Sequence, residues 1–210
     1  EAAAGKPLDP VAIAERAWEL ETVEAALPGG KQDQFAAALG GWQRLGFEAG
    51  RVAVSPLEPP PGFADALAER IVVCYTGQSR VSAGTISRVM GRYDAGDEIV
   101  TTALREMVAV AERMAAAVTA GDLPVVAELV SRNWELQQRL DPGMRTELMA
   151  ELERRMARVG GLGGKAAGAG AGGTMFFVVD RDRDAAIREA REAGATVLPL
   201  AWAREGVSVW

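Results

Sequence analysis

The sequence predicts a mixed α+β protein, and three observations carry that expectation. Ile71-Val72-Val73-Cys74-Tyr75 is a continuous apolar run of strand length, suited to a strand buried on both faces. Three long stretches, 98–119, 123–140 and 144–158, show helical periodicity and stand between strand-like segments instead of alternating with them. Pro59-Pro60-Pro61-Gly62 is a stiff connector that neither a helix nor a strand continues through, and it divides 1–62 from 63–210.

The elements follow in order. Asp9-Pro10 opens a helix, with Asp9 as cap and Pro10 at the first helical position. Val11, Ala14, Ala17, Trp18 and Val23 give it one apolar face, and Pro28-Gly29-Gly30 ends it. A short helix runs from Lys31 to Leu39, with Phe35 and Leu39 on one side and Gly40-Gly41 as its stop. Trp42–Glu48 and Arg51–Pro56 read as a hairpin turned at Ala49-Gly50. Past the prolines, Asp97, Asp122 and Asp141 stand at or next to the starts of the three helices. The first helix repeats Ile99, Leu104, Val108, Ala111, Met114 and Val118, and the second repeats Val126, Leu129, Val130, Trp134 and Leu140. Gly160–Gly173 reads as a glycine-rich loop leading into a strand over Thr174–Val179. A helix over 182–193 and two last strands, Thr196–Ala201 and Val207–Trp210, complete the pattern.

Composition narrows the function. The 210 residues are 49% hydrophobic and 25% charged, with a net charge of −6. No dense Lys/Arg block is present, which argues against a nucleic-acid partner. No apolar run reaches the ~20 residues of a membrane span. The opening Glu1-Ala2-Ala3-Ala4-Gly5 lacks an initiator Met and does not read as a signal peptide. Cys74 is the one cysteine, so the default compartment is a reducing cytoplasm. There is no histidine, which removes His-based triads, His general bases and most zinc sites. A proton acceptor must then be a carboxylate, Lys, Tyr or Cys74.

Two segments carry chemistry. Asp33, in Gly29-Gly30-Lys31-Gln32-Asp33-Gln34-Phe35, falls in the first turn of a helix, where the dipole favours an anion. There it can orient a hydroxyl and take its proton, or be no more than a helix-start acid. In Gly160–Gly173 eight of fourteen residues are glycine, so backbone N–H groups can approach an anion. Gly168-x-Gly170-x-x-Gly173 matches a dinucleotide fingerprint formally, but it follows a helix and opens a strand, the reverse of that motif's setting. Gly164-Lys165 resembles the end of a phosphate loop, yet Val159 and Ala166 occupy two of its required positions. What survives is a flexible loop lining a phosphate site, with a Gly/Ala linker as the competing reading. Tyr75-Thr76-Gly77-Gln78-Ser79-Arg80 ends a strand in a polar turn, where Arg80 can fork onto phosphate or sugar oxygens, or simply be solvated beside a helix cap. Trp134, Met107, Met114, Met144, Met149 and Met156 sit at helical spacing and read as core.

Leu27-Pro28-Gly29-Gly30-Lys31-Gln32-Asp33-Gln34-Phe35-Ala36-Ala37-Ala38, closed by Gly40-Gly41, resembles a segment of the GHMP small-molecule kinases. Tyr75-Thr76-Gly77-x-Ser79-Arg80 and Gly163-Gly164-Lys165-x-x-Gly168-Ala169-Gly170-x-Gly172-Gly173 follow in the family's order. The likeness is greatest to the heptose 7-phosphate kinase branch, with fucokinases nearby. Leu198-Pro199-Leu200 and Glu205-Gly206-Val207 also look like that branch.

The resemblance implies a remnant of a domain like part of a ribosomal protein, then a ferredoxin-like C-terminal domain, with the active site in the family's interdomain cleft. It implies ATP and Mg2+ as cofactors, a sugar or sugar phosphate as substrate, and a homodimer among the expected states. It places the catalytic acid at Asp33 and, after a one-residue gap, a magnesium carboxylate at Glu21. Gly29, Gly30, Lys31, Thr76, Gly77, Arg80, Gly168, Gly170, Gly172 and Gly173 fall on substrate- or phosphate-binding positions. Ala171 stands where the family has glycine. The family's first motif and its Gly-Leu-Gly-Ser-Ser loop do not appear, so the chain resembles a natural fragment or shortened form expected to be inactive alone. A non-catalytic sugar-phosphate module and a free-sugar kinase are the rival expectations.

Overall fold

The computed structural model describes residues 9–48, 50–77 and 83–208. The chain divides into two compact units, the first comprising Glu1–Glu58 with Trp202–Trp210 and the second Pro59–Ala201.

In the first unit, α1 (Pro10–Glu19) starts where expected, with Asp9 accepting the Val11 N–H at 3.0 Å. It runs into a π-helical turn, Leu20–Glu24. Next come α2 (Gln32–Leu39) and the antiparallel hairpin β1 (Gln43–Glu48) and β2 (Arg51–Pro56), in register from Gln43↔Pro56 to Glu48↔Arg51. Ala14, Phe35 and Ala38 form the core, flanked by Ile13, Leu39, Leu45, Val52 and Val54. Truncating a fully buried phenylalanine such as Phe35 costs about 3–5 kcal/mol.

The C-terminal segment completes this unit. Val207 N–H donates to Ala38 O at 3.1 Å, Gly41 N–H donates to Ala203 O at 3.1 Å, and the rings of Trp42 and Trp202 lie 5.1 Å apart. Gly206 makes the approach feasible, since a Cβ there would stand 2.0 Å from Ala38 O. Val207 and Ser208 are therefore not the expected strand: the Val207 donor serves a carbonyl at the end of α2 in place of a sheet ladder.

The second unit runs α3 (Phe63–Ala68), β3 (Ile71–Tyr75), α4 (Ala83–Asp94), α5 (Glu98–Ala120), α6 (Leu123–Leu140), a 3₁₀ turn (Pro142–Met144), α7 (Glu147–Arg158), β4 (Gly161–Ala166), β5 (Thr174–Val179), α8 (Arg183–Glu192) and β6 (Thr196–Leu198). Its sheet is antiparallel in the order β4-β5-β3-β6. With β3 taken as strand 1 of this unit, that order is 2-3-1-4, the ferredoxin-like plan, with α4–α7 between its first and second strands.

Three expectations need correction. Asp97 and Asp122 cap α5 and α6, but Asp141 caps the 3₁₀ turn through Gly143 N–H, and Thr146 caps α7. On α5 the buried residues are Val100, Ala103, Val110, Ala117 and Val118, while Ile99 and Val108 are 59% and 64% exposed. Apolar residues lie around most of that helix, so periodicity alone places Ile99 and Val108 on the buried side, while Val118 is buried as expected. Six of the fourteen residues of the glycine-rich run, Gly161–Ala166, are strand and not loop. Gly163 and Gly164 fit there because a Cβ would stand 2.0 Å from Ala127 O and 2.3 Å from Phe177 Cδ1, respectively. Their absent side chains let α6 and Phe177 close on the strand.

Candidate functional site

The residues singled out by sequence fall into one group in each unit. In the first unit, α2 begins without a side-chain cap, because Lys31 at the cap position already has helical φ/ψ. Asp33 lies in its first turn and is solvent-exposed, and its carboxylate bonds to no group among the described residues. Gly29-Gly30-Lys31 leads into that turn and, with Trp18, Phe47 and Arg51, lines a cavity of 420 Å³.

Lys31 is fixed away from bulk solvent. Its Nζ lies 2.5 Å from Glu15 Oε2, 4.3 Å from the Trp18 ring centroid and 3.4 Å from Gly50 O. Trp18 in turn donates its indole N–H to Gly29 O at 3.4 Å. Gly29 is thus held by the helix that precedes it. Glu21, on the π-helical turn, accepts a hydrogen bond from the Gln34 amide.

In the second unit the loop 167–173 is pinned at several points. Ala167 N–H donates to Thr174 O at 2.8 Å. Gly173 O accepts from both Thr76 N–H at 2.9 Å and Thr76 Oγ1 at 2.8 Å. Gln137, only 6% exposed, donates from Nε2 to Gly168 O at 2.7 Å. Met144 O accepts from Ala171 N–H at 2.5 Å.

Gly168, Gly170, Ala171, Gly172 and Gly173 all have positive φ, which explains the glycines and makes Ala171 (φ +61°) a strained exception. The N–H groups of Gly168 and Gly170 bond to no acceptor among the described residues, which leaves them able to meet an anion. A free Gly/Ala linker would have none of these ties. Gly77 follows Thr76 with φ +76° and open space around it. Arg80, with Ser79, lies outside the described residues.

The remaining candidate reactive groups are muted by burial. Cys74 is buried in β3, where loss of solvent pushes its thiol up to about 11, so it is no nucleophile near neutrality. Burial likewise lowers the pKa of Lys165, which sits on strand β4 opposite Phe176 and not in the loop. No group of three or more potential metal-binding side chains occurs among the described residues, and no described helix is long and apolar enough to cross a membrane.

Sequence reasoning gave no supporting role to Trp18, Glu15, Gln34, Gln137 or Met144. Each acts by holding one of the named segments, and none carries a motif of its own. The adjacency of Gln34 to Asp33 was the one available signal.

The fold and the pinned glycine loop define a protein of GHMP kinase-like architecture. Residues 114–196 match the family described as GHMP kinases C terminal. The D-glycero-alpha-D-manno-heptose 7-phosphate kinase of Campylobacter jejuni is 29% identical over 206 residues, which are 97% of this chain and 60% of that protein. The bifunctional fucokinase/GDP-fucose pyrophosphorylase of Arabidopsis thaliana is 27% identical over 171 residues, 80% of this chain and 16% of the relative. A crystal structure from Campylobacter jejuni superposes with a TM-score of 0.71 at 27% identity, covering 99% of this chain and 59% of that one. A protein from Listeria innocua shares the fold with a TM-score of 0.79 at 16% identity, over 94% of this chain and 61% of that one. This chain therefore spans about 60% of the heptose kinase relative.

Proposed function

We propose that this chain forms part of an ATP- and Mg2+-dependent kinase that phosphorylates the anomeric hydroxyl of a heptose 7-phosphate. The observation that carries the reading is the pinned loop at 167–173, in which Gly168, Gly170, Ala171, Gly172 and Gly173 have positive φ and the Gly168 and Gly170 N–H groups meet no acceptor among the described residues. Asp33 supports it separately: exposed and with no bonded partner among the described residues, it lies inside the segment most like the sugar kinases. Asp33 orients the acceptor hydroxyl and receives its proton as the phosphoryl group arrives. The open N–H groups of Gly168 and Gly170 donate to charge on the transferred group. Thr76, bonded to Gly173 O, fixes the end of that loop.

Mg2+ binds through one or two carboxylates together with phosphate oxygens and water, and it neutralises charge on the nucleotide phosphates. Glu21, an exposed carboxylate held by a neutral amide, fits that mode, whereas the described residues contain no multi-carboxylate cage.

The test is phosphoryl transfer by the whole natural polypeptide that carries this chain, with heptose 7-phosphate and fucose compared as acceptors. Asp33→Asn should lower kcat by roughly 10²–10⁴-fold, the usual worth of a positioned base, with an unchanged melting temperature because Asp33 is exposed. Turnover of fucose in preference to the phosphorylated heptose would move the reading to a free-sugar kinase. Full activity in Asp33→Asn would overturn it. Since the relatives are longer, these 210 residues alone are expected to turn over little or no ATP.

A further inference from the structure

The acids on the first helix are not equivalent. Glu15 pairs with Lys31, and Glu19 and Glu24 both pair with Arg16. Glu21 is bonded instead to an uncharged group, the Gln34 amide. It stands on the π-helical turn, which closes through Ala25 N–H to Leu20 O at 2.9 Å and turns its residues off the register of α1. The turn is followed by Ala26 at φ +53°, a left-handed conformation that alanine adopts only under constraint, and Leu27 N–H then returns to Glu21 O at 3.0 Å.

Gln34 reaches Glu21 from the first turn of α2, next to Asp33. Its Oε1 is buried and has no donor among the described residues. Rotating the amide would set that oxygen against the carboxylate, so the amide's orientation is dictated by Glu21.

We propose that Gln34 is a positioning residue: its amide holds Glu21 still, with one oxygen left for the metal of a nucleotide complex. This rests on the reading of Glu21 as a metal carboxylate. An exposed glutamate free to change rotamer would have to be ordered when the metal binds, and the amide removes that cost in advance.

The experiment is a double-substitution cycle in the whole natural polypeptide, read by electron paramagnetic resonance of Mn2+ with a non-hydrolysable ATP analogue present. Gln34→Met, which keeps the length and removes the donor, should weaken Mn2+ binding roughly tenfold, the scale of lost support to a metal ligand. Glu21→Gln should weaken it at least as much, and the double variant should be no weaker than Glu21→Gln alone. A structural role for Gln34 would instead add its full factor in both backgrounds, which overturns the proposal, as does unchanged affinity in Gln34→Met. Unchanged affinity in Glu21→Gln overturns the reading of Glu21 itself, a separate outcome. Should Gln34→Met not fold, Gln34→Asn, whose amide is too short to reach Glu21, is expected to show the same non-additive loss.

Discussion

The two halves of the run Gly160–Gly173 are alike in composition and unlike in what their glycines do. In β4, Gly163 and Gly164 have ordinary backbone angles and no room: an added Cβ would strike Ala127 O at 2.0 Å or Phe177 Cδ1 at 2.3 Å. In the loop, Gly168 has φ +79° and nothing within 4 Å of a Cβ. The first set is glycine because other atoms occupy the space, the second because of the backbone conformation. Packing fixes the strand half, and hydrogen bonds from Thr76 and Gln137, with one to Met144 O, fix the loop half. A site that must present N–H groups to an anion belongs in the second half, where donors remain open.

The contrast is broken most directly in the strand. In Gly163→Ala the new methyl meets the backbone of α6, which cannot swing aside as a side chain does, and stability should fall by about 3 kcal/mol. Chemical denaturation measures it, and a loss under about 1 kcal/mol would show that α6 is not seated on this strand. Gly170→Ala combines both penalties, φ +72° and a Cβ 2.6 Å from Met144 O. A loss of about 2–3 kcal/mol is expected, together with lost activity in the whole polypeptide. Gly168→Ala isolates the conformational term alone, about 1–2 kcal/mol. Because the Gly168 N–H is one of the open donors, its kcat should fall by more than its stability loss explains; an equal fall in both would remove the loop from the chemistry.

Much of this division was legible in the sequence, and the remainder fails for identifiable reasons. The hairpin was readable because Ala49-Gly50 separates two strand-like runs, and β3 because Ile71–Tyr75 is uniformly apolar. Strand β4 was not, since glycine gives no local sign of a strand and its reason lies in Ala127 and Phe177, distant in sequence. The buried face of α5 was hidden by apolar residues on its exposed side, Ile99 and Val108 among them. The return of Trp202–Val207 to α2 depends on Gly206 meeting Ala38, again a long-range fit. At the site, Asp33 and the loop glycines stood out by motif. Gln34 and Gln137 did not, because a glutamine on a helix reads as a surface residue until its partner is seen.

The smallest expected effect sharpens the contrast most finely. Ala171 is 3% exposed and holds φ +61° within a stretch otherwise made of glycine. Ala171→Gly relieves about 1–2 kcal/mol of left-handed strain. Against this stand about 0.5–1 kcal/mol of added chain entropy and about 0.8 kcal/mol for the lost burial of one methyl. The terms nearly cancel, so the melting temperature should move by no more than a degree or two. The Ala171 N–H bond to Met144 O survives the change, and so the loop keeps its shape. A fall of several degrees would mean that the methyl, and not the backbone conformation, is what this position supplies. The loop would then follow the packing rule of β4 after all.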